Sequence, residues 1–230
     1  MGERIEVKAL DGSGSFGGYL APPAGGSGPG IVVVQEIFGV NAGIRQMCDE
    51  WASKGYFAFA PDLFWRIEPG IELSDHVEAE LQRAFQLFGQ FDVDKGILDI
   101  EASIRAVRER SAGKVGVVGY CLGGLLAYLT ATRTDSDATV SYYGVGIHDR
   151  LNESHAIAKP LLLHIAKQDK FVDPAAQAKI HEGLAGNSHV TLYDYDADHA
   201  FARVDGTDRV ESCAQEANAR TEAFFAEHLK

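Results

Sequence analysis

The sequence predicts an α/β fold in which a mostly parallel, doubly wound sheet begins with an antiparallel hairpin. Short β-branched runs alternate with amphipathic segments along most of the chain, as in folds that place helices on both faces of a parallel sheet. The run 31–34 contains no polar residue, which is typical of a strand buried on both faces. Because such sheets bind ligands at the carboxyl ends of their strands, functional residues are expected there.

The predicted elements follow from local sequence signals in chain order. The dipeptide Asp11-Gly12 lies between two alternating segments and favours the tight turn of a hairpin. Later strands are short apolar runs, and helices are assigned where apolar residues recur at helical spacing. The predicted strands are 5–10, 16–20, 31–34, 56–62, 114–118, 138–143, 160–165 and 190–193, and the predicted helices include 42–54, 75–88, 93–110 and 209–228.

Composition limits both the domain organisation and the partners. The 230 residues are 46% hydrophobic, enough for one large core, and no segment resembles a linker, so a single domain is expected over 1–230. The net charge of −12 without a Lys/Arg-rich run argues against nucleic acid or an acidic membrane surface as partner. No apolar run approaches the roughly 20 residues of a membrane span. A small molecule is therefore the expected partner.

The cysteines and the amino terminus favour a reducing compartment. Cys48, Cys121 and Cys213 are an odd number without metal-type spacing, and the first residues form no apolar signal segment. We therefore expect a cytoplasmic protein without disulfides. Cys48 and Cys213 lie in predicted helices and are expected to be inert, whereas Cys121 occupies a different setting.

No metal or other cofactor is predicted from the acidic residues. Asp194, Asp196 and Asp198 are spaced like the first ligands of a calcium loop. That loop requires glycine where this chain has His199, and glutamate where it has Asp205. The acidic run is therefore interpreted as a loop after a strand.

Cys121 lies at the centre of Gly-Tyr-Cys-Leu-Gly-Gly, residues 119–124, between an apolar strand and a helix. This is the pattern of a nucleophile elbow with a thiol in place of the usual hydroxyl. At a helix N-terminus, unpaired N–H groups and the helix dipole favour a thiolate. The alternative from this segment alone is a buried cysteine on an ordinary strand-to-helix turn.

A thiol nucleophile requires a base and a group that orients the base. Asp169 follows the predicted strand ending at residue 165, and His199 follows the last strand. The order nucleophile, acid, histidine is that of α/β-hydrolases. Asp173 is a rival for the acid, but the sequence Asp173-Pro174 is typical of a helix N-cap and first helical position, so Asp169 is preferred. His164, inside an apolar strand, is expected to be a packed core residue.

Several segments together resemble the dienelactone hydrolase (carboxymethylenebutenolidase) family of α/β-hydrolases. The cysteine in the elbow and the pair Gln35-Glu36 are the most specific features of this resemblance. The matching segments are 31–39, 60–64, 116–124, 142–144, 168–169 and 199–203.

The resemblance implies a role for each residue of the site. Cys121, His199 and Asp169 would form a catalytic triad, and the backbone N–H groups of Ile37 and Leu122 would form the oxyanion hole. Glu36 would face the nucleophile and take part in its activation. Because a nearby carboxylate disfavours a thiolate, we expect the resting thiol to stay neutral until substrate displaces Glu36.

The substrate residues match the family less completely. The resemblance implies that a substrate carboxylate is held by two arginines, of which one corresponds to Arg203, while the other position is occupied by Leu81. Arg83 is a weak substitute, because two residues along a helix are about 200° of rotation. The remaining expected substrate contacts are Phe38, Phe85 and Phe88.

The sequence therefore predicts a cofactor-independent hydrolase. The first hypothesis is cysteine-dependent hydrolysis of a carboxylate-bearing enol-lactone through an acyl-thioenzyme. Leu81, Phe85 and Phe88 favour the alternative of a broader carboxylesterase acting on neutral esters, and a more remote alternative is a redox-sensing thiol protein. The family resemblance implies a monomer.

Overall fold

The computed structural model describes residues 2–230 and contains one eight-stranded sheet flanked by helices. The strands are β1 (Glu3–Lys8), β2 (Ser15–Ala21), β3 (Gly30–Val34), β4 (Phe57–Pro61), β5 (Val115–Tyr120), β6 (Ala138–Tyr142), β7 (Leu161–Ala166) and β8 (Val190–Tyr195). The helices are α1 (Ala42–Ser53), α2 (Glu78–Gln90), α3 (Val93–Arg108), α4 (Leu122–Arg133), α5 (Pro174–Leu184) and α6 (Glu211–His228).

The sheet has the order β1-β2-β4-β3-β5-β6-β7-β8. Strands β1 and β2 form the predicted antiparallel hairpin, and β2 pairs with β4 in the same antiparallel sense. Every pairing from β4 to β8 is parallel. This topology confirms the predicted mostly parallel sheet and brings the carboxyl ends of β3, β5, β7 and β8 to one edge.

The core lies on both faces of the central strands. Each residue of β3, β4, β5, β6 and β7 is buried, so helices cover both sides. Trp51 of α1 packs edge-on against Phe225 of α6, with ring centroids 5.4 Å apart, while α3 packs on α4. The β-branched, uniformly apolar strands are thus explained by burial on two faces.

Two local features differ from the sequence prediction. Helix α2 begins at Glu78, three residues later than predicted, because the Asp75 side chain binds a distant arginine instead of capping the helix. Two short 3-10 helices, Ile147–Asp149 and Leu151–Ala156, were not predicted. Neither change alters the order of the sheet.

In the described part of the chain, no helix is both long and apolar enough to cross a membrane. Residues 2–230 also contain no group of three or more histidine, cysteine, aspartate or glutamate side chains arranged to hold a metal ion.

Candidate active site

Cys121 lies at the sharp turn between β5 and α4. Its backbone has φ 56° and ψ −114°, a conformation that costs a non-glycine residue of order 1–3 kcal/mol and is often found at functional sites. Its N–H donates to the Tyr142 carbonyl at 3.1 Å. The turn thus has the strained geometry expected of a nucleophile elbow.

The glycines at 119 and 123 are required because backbone approaches them closely. A Cβ on Gly119 would lie 1.9 Å from the Gly123 carbonyl oxygen. One on Gly123 would lie 2.5 Å from the carbonyl oxygen of Gln35. Since backbone atoms cannot move aside as a flexible side chain can, the elbow excludes any larger residue at both positions.

Asp169 and His199, which follow β7 and β8, meet in the folded chain. Asp169 Oδ2 accepts a hydrogen bond from His199 Nδ1 at 2.8 Å, and both side chains are buried. Asp169 Oδ1 accepts from the N–H groups of Phe171 at 2.8 Å and Val172 at 3.3 Å. The carboxylate is therefore fixed by the loop, and it orients the imidazole so that Nε2 is left for another partner.

The alternative acid, Asp173, points elsewhere. Its side chain accepts from the Ala176 N–H at 2.8 Å and caps α5, with Pro174 at the first helical position. This is the arrangement that the Asp-Pro sequence predicts. Of the two candidates, only Asp169 contacts His199 in the described chain.

Cys121 and His199 line the same cavity and interact electrostatically. Burial opposes a charged imidazole, but the adjacent Cys121 side chain and the hydrogen-bonded Asp169 carboxylate outweigh it and raise the pKa of His199 to about 10. The His199 ring is held edge-on between Tyr143 and Phe171, at centroid distances of 5.1 and 4.8 Å. The ring is thus held in place from both sides, and its buried Nε2 has no hydrogen-bond partner in the described chain.

Two backbone N–H groups flank Cys121 without another partner in the described chain. The Leu122 N–H is at the start of α4, where helical N–H groups have no internal acceptor. The Ile37 N–H follows β3 and likewise donates to no other described group. The buried Gln35 fixes this loop, since its Oε1 accepts from the Leu63 N–H at 3.1 Å.

Glu36 is bound to Arg203 rather than being a free carboxylate. Arg203 Nε donates to Glu36 Oε2 at 2.5 Å and Nη2 to Oε1 at 3.3 Å. The third nitrogen, Nη1, donates to Asp75 Oδ2 at 2.7 Å. Glu36 lines a second cavity of about 580 Å³ on the other side of Arg203. The arginine therefore separates two cavities.

The cavity that contains Cys121 has a volume of about 330 Å³, within the usual range for small-molecule sites. Its lining includes four of the aromatic and aliphatic side chains expected to contact substrate: Phe38, Leu81, Phe85 and Phe88. Arg203 also lines it. We call Asp75, Leu81, Phe85, Phe88 and Arg203 the recognition wall, and Cys121, Asp169 and His199 the catalytic end.

Arg83 is not part of the recognition wall. It binds Glu68 and Gln86 and is not among the residues that line the cavity, so this arrangement does not favour Arg83 as a replacement for the missing family arginine. The reason is the helical register: Leu81, Phe85 and Phe88 share the face of α2 that lines the cavity, and residue 83 lies on another face.

Several cavity residues were not identified from the sequence. Asp75 was assigned to a helix, and Lys170, Phe171 and Val145 were not considered as lining. Lys170 and Phe171 follow Asp169 directly, so their position after a strand end was an available signal. No local sequence pattern marks Asp75 as a cavity residue, because its partner Arg203 is 128 residues away.

His164 is the packed core residue that the sequence predicts, and Cys48 is also buried in the core. Cys48 is fully buried, and burial raises the pKa of its thiol well above the usual range. His164 is buried and hydrogen-bonded through Nδ1 to the Tyr195 hydroxyl and through Nε2 to Thr221 Oγ1. Burial lowers the pKa of His164 to about 3, so it is a neutral structural residue.

Comparison with known proteins identifies the family. The model of the dienelactone hydrolase family matches residues 16–229. A carboxymethylenebutenolidase from Pseudomonas putida is 40% identical, with 97% of this chain and 96% of the relative covered. A protein of Azospirillum brasilense that bears the same name provisionally is 46% identical, with 98% of each chain covered.

The solved structures agree on the fold. A crystal structure from Klebsiella pneumoniae, provisionally described as a dienelactone hydrolase, superposes with a TM-score of 0.85 at 24% identity, covering 99% of this chain and 100% of that chain. At this identity the likeness shows the shared α/β-hydrolase fold. Together with the family match and the 40% identical relative, it follows that this chain belongs to the dienelactone hydrolase family and is a carboxylic ester or lactone hydrolase.

Proposed function

We propose that the chain hydrolyses an activated ester or lactone through a covalent bond to Cys121. The observation that carries this proposal is the buried Asp169–His199 pair beside a cysteine in strained elbow geometry. Nucleophile, base and orienting acid follow three different strands. Cys121 and His199 line one cavity, and Asp169 binds His199 from behind, which is the arrangement that nucleophilic catalysis requires.

In the acylation step, His199 takes the proton of the Cys121 thiol and Sγ attacks the substrate carbonyl carbon. The carbonyl oxygen becomes an oxyanion, and the N–H groups of Ile37 and Leu122 would donate to it. Loss of one such donor typically costs about 10²–10³ in rate. The tetrahedral adduct then collapses, the carbon–oxygen bond breaks, and the leaving oxygen takes the proton from His199, either as the bond breaks or after departing as an enolate, so His199 is neutral again.

In the deacylation step, a water molecule attacks the thioester carbon while His199 accepts its proton. The second adduct expels the Cys121 sulfur, which takes the proton from His199, and the carboxylic acid is released. Asp169 holds the imidazole in one tautomer through both steps. An enol or phenol leaving group suits a thiol nucleophile, because a poorer leaving group would allow the adduct to expel the thiolate again.

Two substrate classes are supported by different observations. The names of the relatives favour an enol-lactone of the dienelactone type, which carries a carboxylate. Leu81, Phe85 and Phe88 on the recognition wall favour neutral esters with apolar groups. Both share the chemistry at Cys121, and in both cases we propose a monomeric enzyme acting on a small molecule.

The proposed chemistry is tested by kinetics and mass spectrometry on the same samples. We expect hydrolysis of p-nitrophenyl acetate or of cis- or trans-dienelactone, lost by about 10³-fold or more in Cys121→Ala. Rapid acid quenching of the wild type should show an acyl group on the peptide containing Cys121. Unchanged activity in Cys121→Ala would overturn the proposed nucleophile.

We propose that Glu36 controls how much of Cys121 is thiolate. Repulsion from Glu36 favours the neutral thiol, whereas the raised pKa of His199 favours proton transfer from it. Arg203 offsets part of the Glu36 charge through two hydrogen bonds. Thiolate absorbance of Glu36→Gln at neutral pH should exceed that of the wild type, with Cys121→Ala as the blank; equal absorbance would exclude this role.

A further inference from the structure

The guanidinium of Arg203 is surrounded by partners within the chain. Each of its three nitrogens donates to a carboxylate, two contacts going to Glu36 and one to Asp75. One face of the guanidinium lies over the Phe38 ring, 4.9 Å from its centroid. A substrate carboxylate that approached Arg203 would have to displace one of these groups.

Asp75 is held in this position by contacts between the loop before α2 and the loop before α6. The Thr207 N–H donates to Asp75 Oδ2 at 3.5 Å, and the neighbouring His76 Nε2 contacts the Asp205 carbonyl at 2.7 Å. The Leu73 N–H donates to the Phe38 carbonyl at 2.9 Å. The side chain of Asp75 is only 12% exposed, so its carboxylate is a fixed part of the wall.

The second cation that lines the cavity is also paired. Lys170 Nζ lies 3.2 Å from Asp208 Oδ2 and 3.7 Å from Asp198 Oδ2. Apart from His199, which is paired with Asp169, the lining cations and their ion-pair partners thus comprise two positive and four negative side chains, a formal net charge of −2. In the described chain no uncommitted cation lines the cavity to receive an anion.

The rest of the cavity is apolar and open at its mouth. Phe85, Phe88 and Phe171 line it and are 41%, 40% and 45% exposed. Large aromatic side chains with this exposure around a cavity are typical of a binding surface. These aromatic side chains would contact an uncharged, apolar group of a substrate.

We infer that Asp75 is a specificity-determining residue that reserves Arg203 for internal ion pairs and makes this enzyme selective for neutral esters with apolar groups over substrates carrying a carboxylate. The inference rests on the proposed hydrolytic function and adds the substrate class to it. It predicts discrimination in binding rather than in the chemical step, because Asp75 contacts Arg203 and not the residues of the catalytic end.

The test compares two probes that differ in charge and are closely matched in size: the p-nitrophenyl methyl diester of adipic acid and p-nitrophenyl hydrogen adipate. Reaction rates are corrected with Cys121→Ala as the blank. For the wild type we expect kcat/KM to be at least tenfold higher for the neutral probe. In Asp75→Asn, which keeps the shape of the side chain, this ratio should fall by fivefold or more through a lower KM for the anionic probe.

Asp208→Asn is the matched control, since it removes one negative charge from the same cavity without freeing Arg203, and Lys170 keeps its ion pair with Asp198. The inference predicts that its ratio changes by less than twofold. If the ratio of kcat/KM changed equally in Asp75→Asn and Asp208→Asn, the inference would be overturned, because the total charge of the cavity and not Asp75 itself would set the selectivity. A wild type that prefers the anionic probe would also overturn it, even if Asp75→Asn does not fold, and would leave the proposed chemistry intact. Failure to hydrolyse either probe or a dienelactone would instead remove the proposed function itself.

Discussion

The catalytic end and the recognition wall of the cavity are built in different ways. Cys121, Asp169 and His199 each follow a strand of one sheet, and their contacts are fixed by the backbone of neighbouring loops. The recognition wall combines α2 with two loops, and its charged contacts join residues more than 100 positions apart. The catalytic end is therefore constrained by topology, whereas the wall can change its chemistry by single substitutions.

The largest effect should come from breaking the Asp169–His199 contact. Asp169→Asn keeps the size of the side chain but removes the charge and the tautomer control, and comparable changes in serine enzymes cost about 10⁴ in kcat. We expect a loss of at least 10³ in kcat/KM on p-nitrophenyl acetate. Asp173→Asn is the control, since asparagine caps helices as well as aspartate does. Similar losses in both variants would mean that the orienting acid has been misassigned.

The same contrast explains what sequence reasoning could find. Cys121, Asp169 and His199 were accessible because a strand pattern followed by a polar residue marks the carboxyl edge of a parallel sheet. The Arg203–Asp75 pair was not accessible, because no local pattern links a loop before α2 to a loop after β8. The start of α2 was misplaced for the same reason. The position of Arg83 outside the cavity lining became clear only from the structure, where its side chain binds Glu68.

The second largest effect is expected from Gly123→Ala, which tests how tightly the backbone is packed at the elbow. In Gly123→Ala the new Cβ would meet the carbonyl oxygens of Gln35 and Val34 at 2.5 and 2.6 Å. We expect the free energy of unfolding to fall by about 3 kcal/mol, near the upper end for overpacked sites, as measured by urea denaturation. The elbow and the loop after β3 would be forced apart, so activity should fall as well.

Gly89→Ala is the matched control for Gly123→Ala. Gly89 lies in α2, and a Cβ there would meet nothing within 4 Å. Alanine should therefore stabilise the helix by about 0.5–1 kcal/mol. If Gly123→Ala were as stable as Gly89→Ala, the close backbone contact would not constrain the elbow.

The recognition wall should accept a substitution that the catalytic end would not. Leu81→Arg introduces a cation on the face of α2 that lines the cavity. A new charge-assisted contact is worth about 1.5–3 kcal/mol, so we expect kcat/KM for an anionic lactone to rise at least tenfold, mainly through KM. Arg83→Ala should change it by less than twofold. If Arg83→Ala lowered this kcat/KM by a larger factor than Leu81→Arg raised it, residue 83 rather than residue 81 would face the substrate.

The smallest expected effect concerns the core behind the catalytic end. His164 lies on β7, the strand that leads to Asp169, and burial lowers the pKa of His164 to about 3. The unfolded chain protonates this residue near its ordinary pKa of about 6.5, so the unfolded state binds more protons between these values and stability falls as pH decreases through 6.5. Linkage gives a loss of about 1 kcal/mol between pH 6.5 and 5.5.

His164→Gln should remove that part of the pH dependence while keeping a side chain able to bond Thr221 or the Tyr195 hydroxyl. The measurement is the difference in the free energy of unfolding between variant and wild type across this pH range, with the exposed His155→Gln as control. A difference that does not change with pH would mean that His164 is protonated in the folded state.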